Sequence, residues 1–165
     1  MGCMTDDYRS MAWARGGHFP AFEIRQEVFT KEQGFAEEAD RDAFDSQAMH
    51  ILMRDGEKPV ATGRLYFDGA KLFIGRICVL REYRGQAIGD LMMRMMILRG
   101  FDFAREIYLH AQQQAQGFYE RYGFQVQGEP FLEEGAPHVL MVLKKEDAVF
   151  PSKCGENCAK KLMDI

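Results

Sequence analysis

The segment Val79-Leu80-Arg81-Glu82-Tyr83-Arg84-Gly85-Gln86-Ala87-Ile88-Gly89 decides how this chain is read. It has the pattern of a strand end, a tight basic turn containing glycine, and a helix start. Apolar residues precede it, as in a buried strand, and Ile88, Leu91, Met92 and Met95 follow at helical spacing. A turn of this kind gathers free backbone N–H groups at the positive end of a helix dipole. Such a place receives a diphosphate. The residues therefore imply a phosphate-bearing cofactor held on a strand–loop–helix unit.

The chain has 165 residues, 47% of them hydrophobic, and a net charge of −4. That length suits one domain with its own core, and the charge leaves no footprint for general nucleic-acid binding. No apolar run approaches the roughly 18 residues of a membrane span. Thr5-Asp6-Asp7-Tyr8-Arg9 lacks the apolar centre of a signal peptide. Met1-Gly2 would suit myristoylation, but Asp6 stands where a serine or threonine is required. Cys3, Cys78, Cys154 and Cys158 are too unevenly spread for a disulfide framework, and Cys78 reads as a small buried hydrophobe. The expected compartment is the cytoplasm, with no nucleic-acid or membrane partner.

Residues 7–14 read as a short first strand, and residues 19–29 as an amphipathic helix built on Phe19, Phe22, Ile24, Val28 and Phe29. Residues 30–46 are polar and acidic and read as a loop with a short helix. Ala48 to Arg54, Pro59 to Phe67 and Lys71 to Leu80 read as strands, separated by the turns Asp55-Gly56 and Asp68-Gly69. The third is apolar on both faces, which makes it central. A helix runs from the glycine turn to Arg99 and stops at Gly100. Glu106 to Ala111 is a strand, Gln113 to Tyr122 is helical, and Phe124 to Gln127 and His138 to Leu143 are the last strands. Hairpins followed by a β-α-β-α-β run make a mixed α+β domain over residues 1–145, with 146–165 as an appended tail.

A second segment, Leu109-His110-Ala111-Gln112-Gln113-Gln114-Ala115-Gln116-Gly117-Phe118-Tyr119-Glu120-Arg121-Tyr122-Gly123-Phe124, follows the glycine turn. Together the two segments resemble the GNAT superfamily of acyl-CoA-dependent N-acyltransferases. Three further segments resemble its ElaA-like and YjcF-like branch: Arg25-Gln26-Glu27-Val28-Phe29-Thr30-Lys31-Glu32-Gln33, Asp45 with His50, and Phe131-Leu132-Glu133-Glu134-Gly135-Ala136-Pro137-His138. The resemblance covers about residues 5–145. It implies the GNAT fold, a mixed, mostly antiparallel central sheet splayed at the acyl-CoA site and flanked by helices.

Acetyl-CoA is then the implied co-substrate. Unpaired strand groups of Ile77, Cys78 and Val79 would meet the amides of its pantetheine arm. The N–H groups of Arg84, Gly85, Gln86, Ala87, Ile88 and Gly89 would take its pyrophosphate, with Arg84 adding charge. The superfamily often has glycine where this chain has Ala87, whose methyl is tolerable where the backbone is helical. It often has asparagine where this chain has Gln112, one methylene longer, at a pantetheine or substrate contact.

By the same resemblance Tyr119 is the acid that protonates the departing thiolate, since a phenol with an ordinary pKa of about 10 stays protonated at neutral pH. Backbone N–H near Val79 would polarise the thioester carbonyl. Glu32, His50, His110 and His138 are the candidate bases, and a water chain to bulk solvent is the alternative to all of them. His110 shares a strand face with Tyr108 and Gln112, while His138 and Glu32 fall in the branch segments. For His50 a structural hydrogen bond is the expected role.

An ordinary ion pair is expected for Arg64. Asp40, Asp42 and Asp45 lack the glycine and distal glutamate of a calcium loop, so no metal is expected there. Met92, Met93, Met95 and Met96 read as core filling. Cys154 and Cys158 could share a helix face, but two thiolates do not complete a tetrahedral zinc site. The expected activity is direct acetyl transfer to a primary amine of a small molecule, with no covalent enzyme intermediate. The acidic run from Glu32 to Asp45 could attract a cationic amine or be a solvated face. A non-catalytic acyl-CoA sensor and a protein N-terminal or lysine acetyltransferase are the rival readings. A homodimer is compatible with all three.

Overall fold

A computed structural model describes residues 9–17 and 19–151. In chain order they form β1 (Arg9–Arg15), α1 (Phe19–Arg25), a wider π-helical stretch (Gln26–Glu32) and α2 (Glu37–Asp40). Then come β2 (Met49–Asp55), β3 (Lys58–Asp68), β4 (Lys71–Val79) and α3 (Ile88–Gly100). The remainder is β5 (Glu106–Gln112), α4 (Gln116–Glu120), β6 (Gln125–Glu133) and β7 (Ala136–Lys144). The strands make one sheet in the order β1-β2-β3-β4-β5-β7-β6, with β4 in the middle as its two apolar faces require. Every pairing is antiparallel except β4 with β5. This is the α+β architecture expected from the sequence.

Strand alternation sorts the core onto the two sheet faces. Ile51, Met53, Ile77 and Val79 join α3 through Met92, Met93 and Met96, all of them buried. The methionines are core filling, as expected. Leu52, Cys78 and Leu80 face the other way and pack with Ile24 and Val28. Helices therefore cover both faces of β4, and the Cys78 thiol is closed off beneath the α1 side.

Several elements differ from expectation. The helix expected over 19–29 is α-helical only to Arg25 and continues as the π-helical stretch to Glu32. Gln113 to Tyr122 is not one helix but a 3₁₀ turn, Gln113–Ala115, followed by the five residues of α4. The last two strands are much longer than the apolar runs suggested, because β6 and β7 continue through the acidic segment as a hairpin. Gly128 and Pro130 read as breakers. But β6 is an edge strand, where a proline need not donate to a ladder, and the register shift between Gln127 and Phe131 absorbs them. The hairpin closes on Glu134 (φ 49°) and Gly135 (φ 76°), both left-handed as a two-residue type I′ turn demands. Beyond β7, Val149 N–H donates to Tyr122 O at 3.0 Å and Ala148 packs on the core, so residues 146–151 lie against the domain. Met1-Gly2, Cys3, Cys154 and Cys158 lie outside the described residues.

Three arginines and three aspartates tie the segment between α1 and β2 to the sheet. Arg25 and Arg64 are fully buried. Arg25 Nε donates to both Asp40 oxygens at 3.1 Å, and its Nη1 to Asp45 Oδ1 at 2.7 Å. Arg64 Nη1 bridges Asp42 Oδ1 and Asp45 Oδ1, each at 2.7 Å. Arg76 donates to the carbonyls of Asp40 and Ala39 at 3.1 Å and lies 3.4 Å from Asp42 Oδ2. Arg64 is thus an ion-paired residue, as expected. His50 Nε2 lies 3.3 Å from Asp45 O, the structural hydrogen bond expected of it. The set is charge-balanced, so Asp40, Asp42 and Asp45 form neither a metal cluster nor an acidic surface. No group of metal-ligand character occurs among the described residues.

Burial alone would raise the Asp45 carboxyl, but the hydrogen bond from Arg25 and the charges of Arg64 and Arg25 overturn that and hold it far below its ordinary 3.8. Asp42 is lowered for the same reason, through Arg64. A carboxyl depressed in the folded state stabilises the protein above its unfolded pKa, and that contribution is lost as pH falls through the folded value. The protein should therefore lose stability progressively below about pH 4. Asp45→Asn, which leaves two buried guanidinium groups short of charge, should cost roughly 3 kcal/mol and lower Tm by about 6–12 °C at pH 7. Its acid limb should be shallower than that of the wild type in thermal melts followed by circular dichroism.

Candidate active site

β4 and β5 pair in parallel only at Leu72 with Ile107 and at Phe73 with Tyr108, and then part. Two local features turn β4 away: a register shift against β3 between Thr62 and Arg64, and Arg76 in the left-handed region at φ 50°. The wedge between the strands is a cleft of about 160 Å³. Ile74 to Ile77 line one side, and Leu109, His110 and Gln112 the other. Tyr119 closes it from α4, Phe29, Gln33 and Phe35 from the α1 side, and Glu133, Glu134 and His138 from the hairpin. Backbone groups of β4 beyond Phe73 have no β5 partner, so they are open to a ligand that adds like a strand.

Five of the expected site residues meet here: Ile77, His110, Gln112, Tyr119 and His138. Tyr119 is buried, its ring edge-on to Phe118 at 5.2 Å, and burial pushes its hydroxyl well above 10, so it keeps its proton. Gln112 Oε1 accepts from Gln114 Nε2 at 2.5 Å. Glu32, His50, Cys78, Val79 and Arg84 do not line the cleft. Burial pushes the Cys78 thiol far up as well, which leaves it an inert hydrophobe.

Glu32 and Arg84 instead meet each other. Arg84 Nη1 and Nη2 donate to the two Glu32 oxygens at 2.6 and 2.8 Å, and Arg84 Nε donates to Val79 O at 3.0 Å. The hydrogen bond from Arg84 holds the Glu32 carboxyl below its ordinary value. In this geometry Glu32 is a clamp on the glycine turn rather than a proton acceptor in the cleft. The Arg84 guanidinium and the Val79 carbonyl are occupied by protein partners.

The turn itself runs through Arg81–Tyr83 (one 3₁₀ turn) to Arg84, in extended backbone, and on to the start of α3. Gly85 takes φ 79°, with open space where a Cβ would point. Ala87 takes φ 59° and ψ 18°, so its backbone is left-handed rather than helical. The tolerance expected for its methyl on a helical backbone therefore does not hold: the methyl is carried in the conformation that favours glycine. No side chain caps α3 at Ala87, which leaves the first N–H groups, at Ile88 and Gly89, available to an anion. Asp90, in the same first turn, is paired with Arg94 at 2.8 Å and accepts from the Tyr122 hydroxyl.

One residue that sequence reasoning missed stands in the cleft wall. Glu133 Oε1 lies 3.1 Å from His110 Nδ1, and Glu133 Oε2 lies 3.5 Å from His138 Nε2. The signal was present in the branch segment around His138. It was hidden because Glu133 was read as loop, when it is a strand residue in register with Ala136 beside β7.

An L residue in the left-handed region costs about 1–2 kcal/mol, and glycine's extra unfolded freedom costs about 0.5–1. Ala87→Gly should therefore raise stability by about 0.5–1 kcal/mol, a Tm increase of about 1–4 °C by calorimetry. A drop in Tm would show that the Ala87 methyl makes a contact worth more than the strain.

The sequence of residues 10–145 matches the Acetyltransferase (GNAT) domain family. The uncharacterized N-acetyltransferase YjcF of Bacillus subtilis is 38% identical over 124 residues, which is 74% of this chain and 89% of that protein. The solved structure of Escherichia coli ElaA superposes with a TM-score of 0.73 at 25% identity, covering 81% of this chain and 98% of that one. An acyl-CoA N-acyltransferase from Pseudomonas aeruginosa gives 0.72 at 26% identity, with 81% and 99% covered. With the splayed strands and the left-handed turn ahead of α3 already described, these similarities settle the family: the chain belongs to the GNAT acetyltransferases and is an acyltransferase.

Proposed function

We propose that this protein transfers an acetyl group from acetyl-CoA directly to the primary amine of a small molecule, as a cytoplasmic enzyme. The observation that carries this reading is Tyr119, which lines the wedge where β4 and β5 part and whose hydroxyl burial keeps protonated. The residues suit the thioester co-substrate. The free edge of β4 offers backbone partners to an amide-bearing arm, and the uncapped start of α3 with Gly85 and Ala87 left-handed offers N–H groups to a diphosphate. In this reading the charge around the diphosphate comes from backbone dipoles, because Glu32 already neutralises Arg84. The name of the Pseudomonas aeruginosa relative, an acyl-CoA N-acyltransferase, agrees with the co-substrate.

Tyr119 donates its proton to the sulfur as the carbon–sulfur bond breaks. Its neighbours Phe118 and Phe124 hold the ring edge-on, which restricts its movement at the cleft wall. No serine or cysteine lines the cleft to form an acyl-enzyme, and Cys78 faces the α1 core with its thiol held protonated. The aromatic side chains of Phe29 and Phe35 and the hairpin turn close the acceptor side, which favours a small amine over a protein segment.

Tyr119→Phe keeps the packing and removes the proton. Thiol release from acetyl-CoA with a primary amine should fall by about 100-fold in kcat. The acetyl-CoA Kd by calorimetry should stay within about twofold, since no binding energy was assigned to the hydroxyl. An unchanged kcat would remove Tyr119 from the chemistry, and no acetyl-CoA binding by the wild type would end the reading altogether.

A further inference from the structure

Most charged groups near the cleft are already satisfied. Asp40 and Arg76, which line it, belong to the balanced arginine–aspartate set, and Glu32 is held by Arg84. The hairpin wall is different. His138 Nδ1 lies 2.8 Å from the carbonyl of Ala136, which can only accept, so Nδ1 carries a hydrogen. In the neutral ring that fixes the tautomer and leaves a lone pair on Nε2. Nε2 faces Glu133 Oε2 at 3.5 Å, and a carboxylate is also an acceptor. The two acceptor atoms stand side by side at 3.5 Å, close enough for one proton or one positively charged donor to serve both.

The rest of the wall keeps Glu133 charged and in place. His110 Nδ1 engages its other oxygen at 3.1 Å, and that hydrogen bond lowers the Glu133 carboxyl against the opposing effect of burial. The Phe131 ring lies edge-on to His110 at 5.0 Å and stacked with His138 at 6.1 Å, which fixes both imidazoles. The His138 side chain is only 9% exposed, while Glu133 is 39% exposed at the cleft mouth.

We propose that Glu133 Oε2 and His138 Nε2 together seat the acceptor's ammonium group from the cleft side, and that His138 Nε2 receives its proton. The inference rests on the acetyltransferase reading and makes the acceptor a cation when it binds. The ammonium donates one N–H to Glu133 and one to His138. The second N–H bond breaks, its proton passes to Nε2, and the freed electron pair attacks the thioester carbonyl carbon. As the carbon–sulfur bond breaks, sulfur takes that bond's electron pair and the Tyr119 proton. Tyr119 regains a proton from the nitrogen that has become the amide. The proton on His138 leaves to solvent, so one ammonium and one thioester yield one amide, one thiol and one proton. Glu133 acts beside His138 by pairing with the Nε2–H of the imidazolium formed, while the Ala136 carbonyl holds Nδ1 and orients the ring.

The test uses the full chain, with 2-phenylethylamine as probe, 2-phenylethanol as its uncharged counterpart, and the variants Glu133→Gln, Glu133→Asp and His138→Gln. Charged or titratable groups that share the cleft with His138 are Glu133 from β6, His110 from β5, Arg76 from β4, Glu134 from the turn, Tyr119 from α4 and Asp40 from α2. Of these Glu133 is the carboxylate at ion-pair distance from it. Nitrogen-15 NMR of the histidine rings, assigned with His138→Gln, reads the proton directly and needs no turnover. In the wild type 2-phenylethylamine should shift the His138 Nε2 resonance at fixed pH, Glu133→Gln should weaken that response by about tenfold in amine concentration, and Glu133→Asp should recover part of it.

With acetyl-CoA, Glu133→Gln should raise KM for 2-phenylethylamine by about tenfold, the loss of one charge-assisted hydrogen bond. The alcohol should not compete with the amine. A His138 Nε2 resonance that 2-phenylethylamine leaves unmoved in the folded wild type overturns the proposal, as does an alcohol that competes as well as the amine. Absence of acetyl-CoA binding in calorimetry would sink the acetyltransferase reading instead, and the NMR titration keeps the two failures apart.

Discussion

The pairing of β4 with β5 stops after two residue pairs, and the cleft exists because it stops there. Continued parallel pairing would seal the wedge and hide Ile77, Gln112 and Tyr119. Parting two central strands is costly, since each leaves backbone donors and acceptors without a ladder partner. The fold compensates on either side. β4 keeps a long antiparallel pairing with β3, and β5 is held by β7 along its whole length, from Glu106 with Lys144 to Gln112 with His138. The sheet is thus two well-paired halves hinged at Leu72 and Phe73.

What holds the wedge open is electrostatic. Arg76 sits in β4 at a positive φ, a conformation costly for a side chain of its size, yet its guanidinium ends among the carbonyls of Ala39 and Asp40 and the carboxylate of Asp42. The strain at Arg76 and the anchoring of the α2 segment are one arrangement: the residue that bends β4 away from β5 also fastens the segment that carries Phe35 and Asp40 to the cleft. Asp42 and Asp45 complete it through Arg64 and Arg25. A buried ionic set is a doubtful source of net stability. Its value here is geometric, because a guanidinium with several fixed acceptors tolerates little displacement.

Legibility in the sequence follows the range of the forces involved. The strands flanking Asp55-Gly56 and Asp68-Gly69, the helix after Gly85 and the central place of β4 are set by local turn chemistry and hydrophobic period, and these were readable. Of the cleft residues, the Leu109–Phe124 segment points to His110, Gln112 and Tyr119, the Phe131–His138 segment to His138, and the fold that the resemblance implies to Ile77. The pairing of Glu32 with Arg84, 52 positions away, was not readable, because no periodicity encodes a long-range ion pair. Nor was the left-handed backbone of Ala87, since a residue that usually avoids that region gives no warning of it. The length of the hairpin is not legible either, because Gly128 and Pro130 interrupt the apolar pattern and only an edge strand with a register shift accommodates them.

That hairpin has a consequence for how the site divides its charge. Glu32 and the aspartates looked like an acidic face turned toward the acceptor, but arginines neutralise each of Asp40, Asp42, Asp45 and Glu32. The carboxylates that remain on the cleft are Glu133 and Glu134, and they stand on the opposite wall, beside two histidines. The negative field in the cleft is therefore local to the β6–β7 turn instead of spread over the loop before β2. In a partly buried space a field from one fixed carboxylate is steep, falling off over a few ångströms of protein but little screened by salt. Recognition by such a field depends on where the cation sits more than on how many charges it carries, and a hairpin anchored on β7 is stiff enough to set that place.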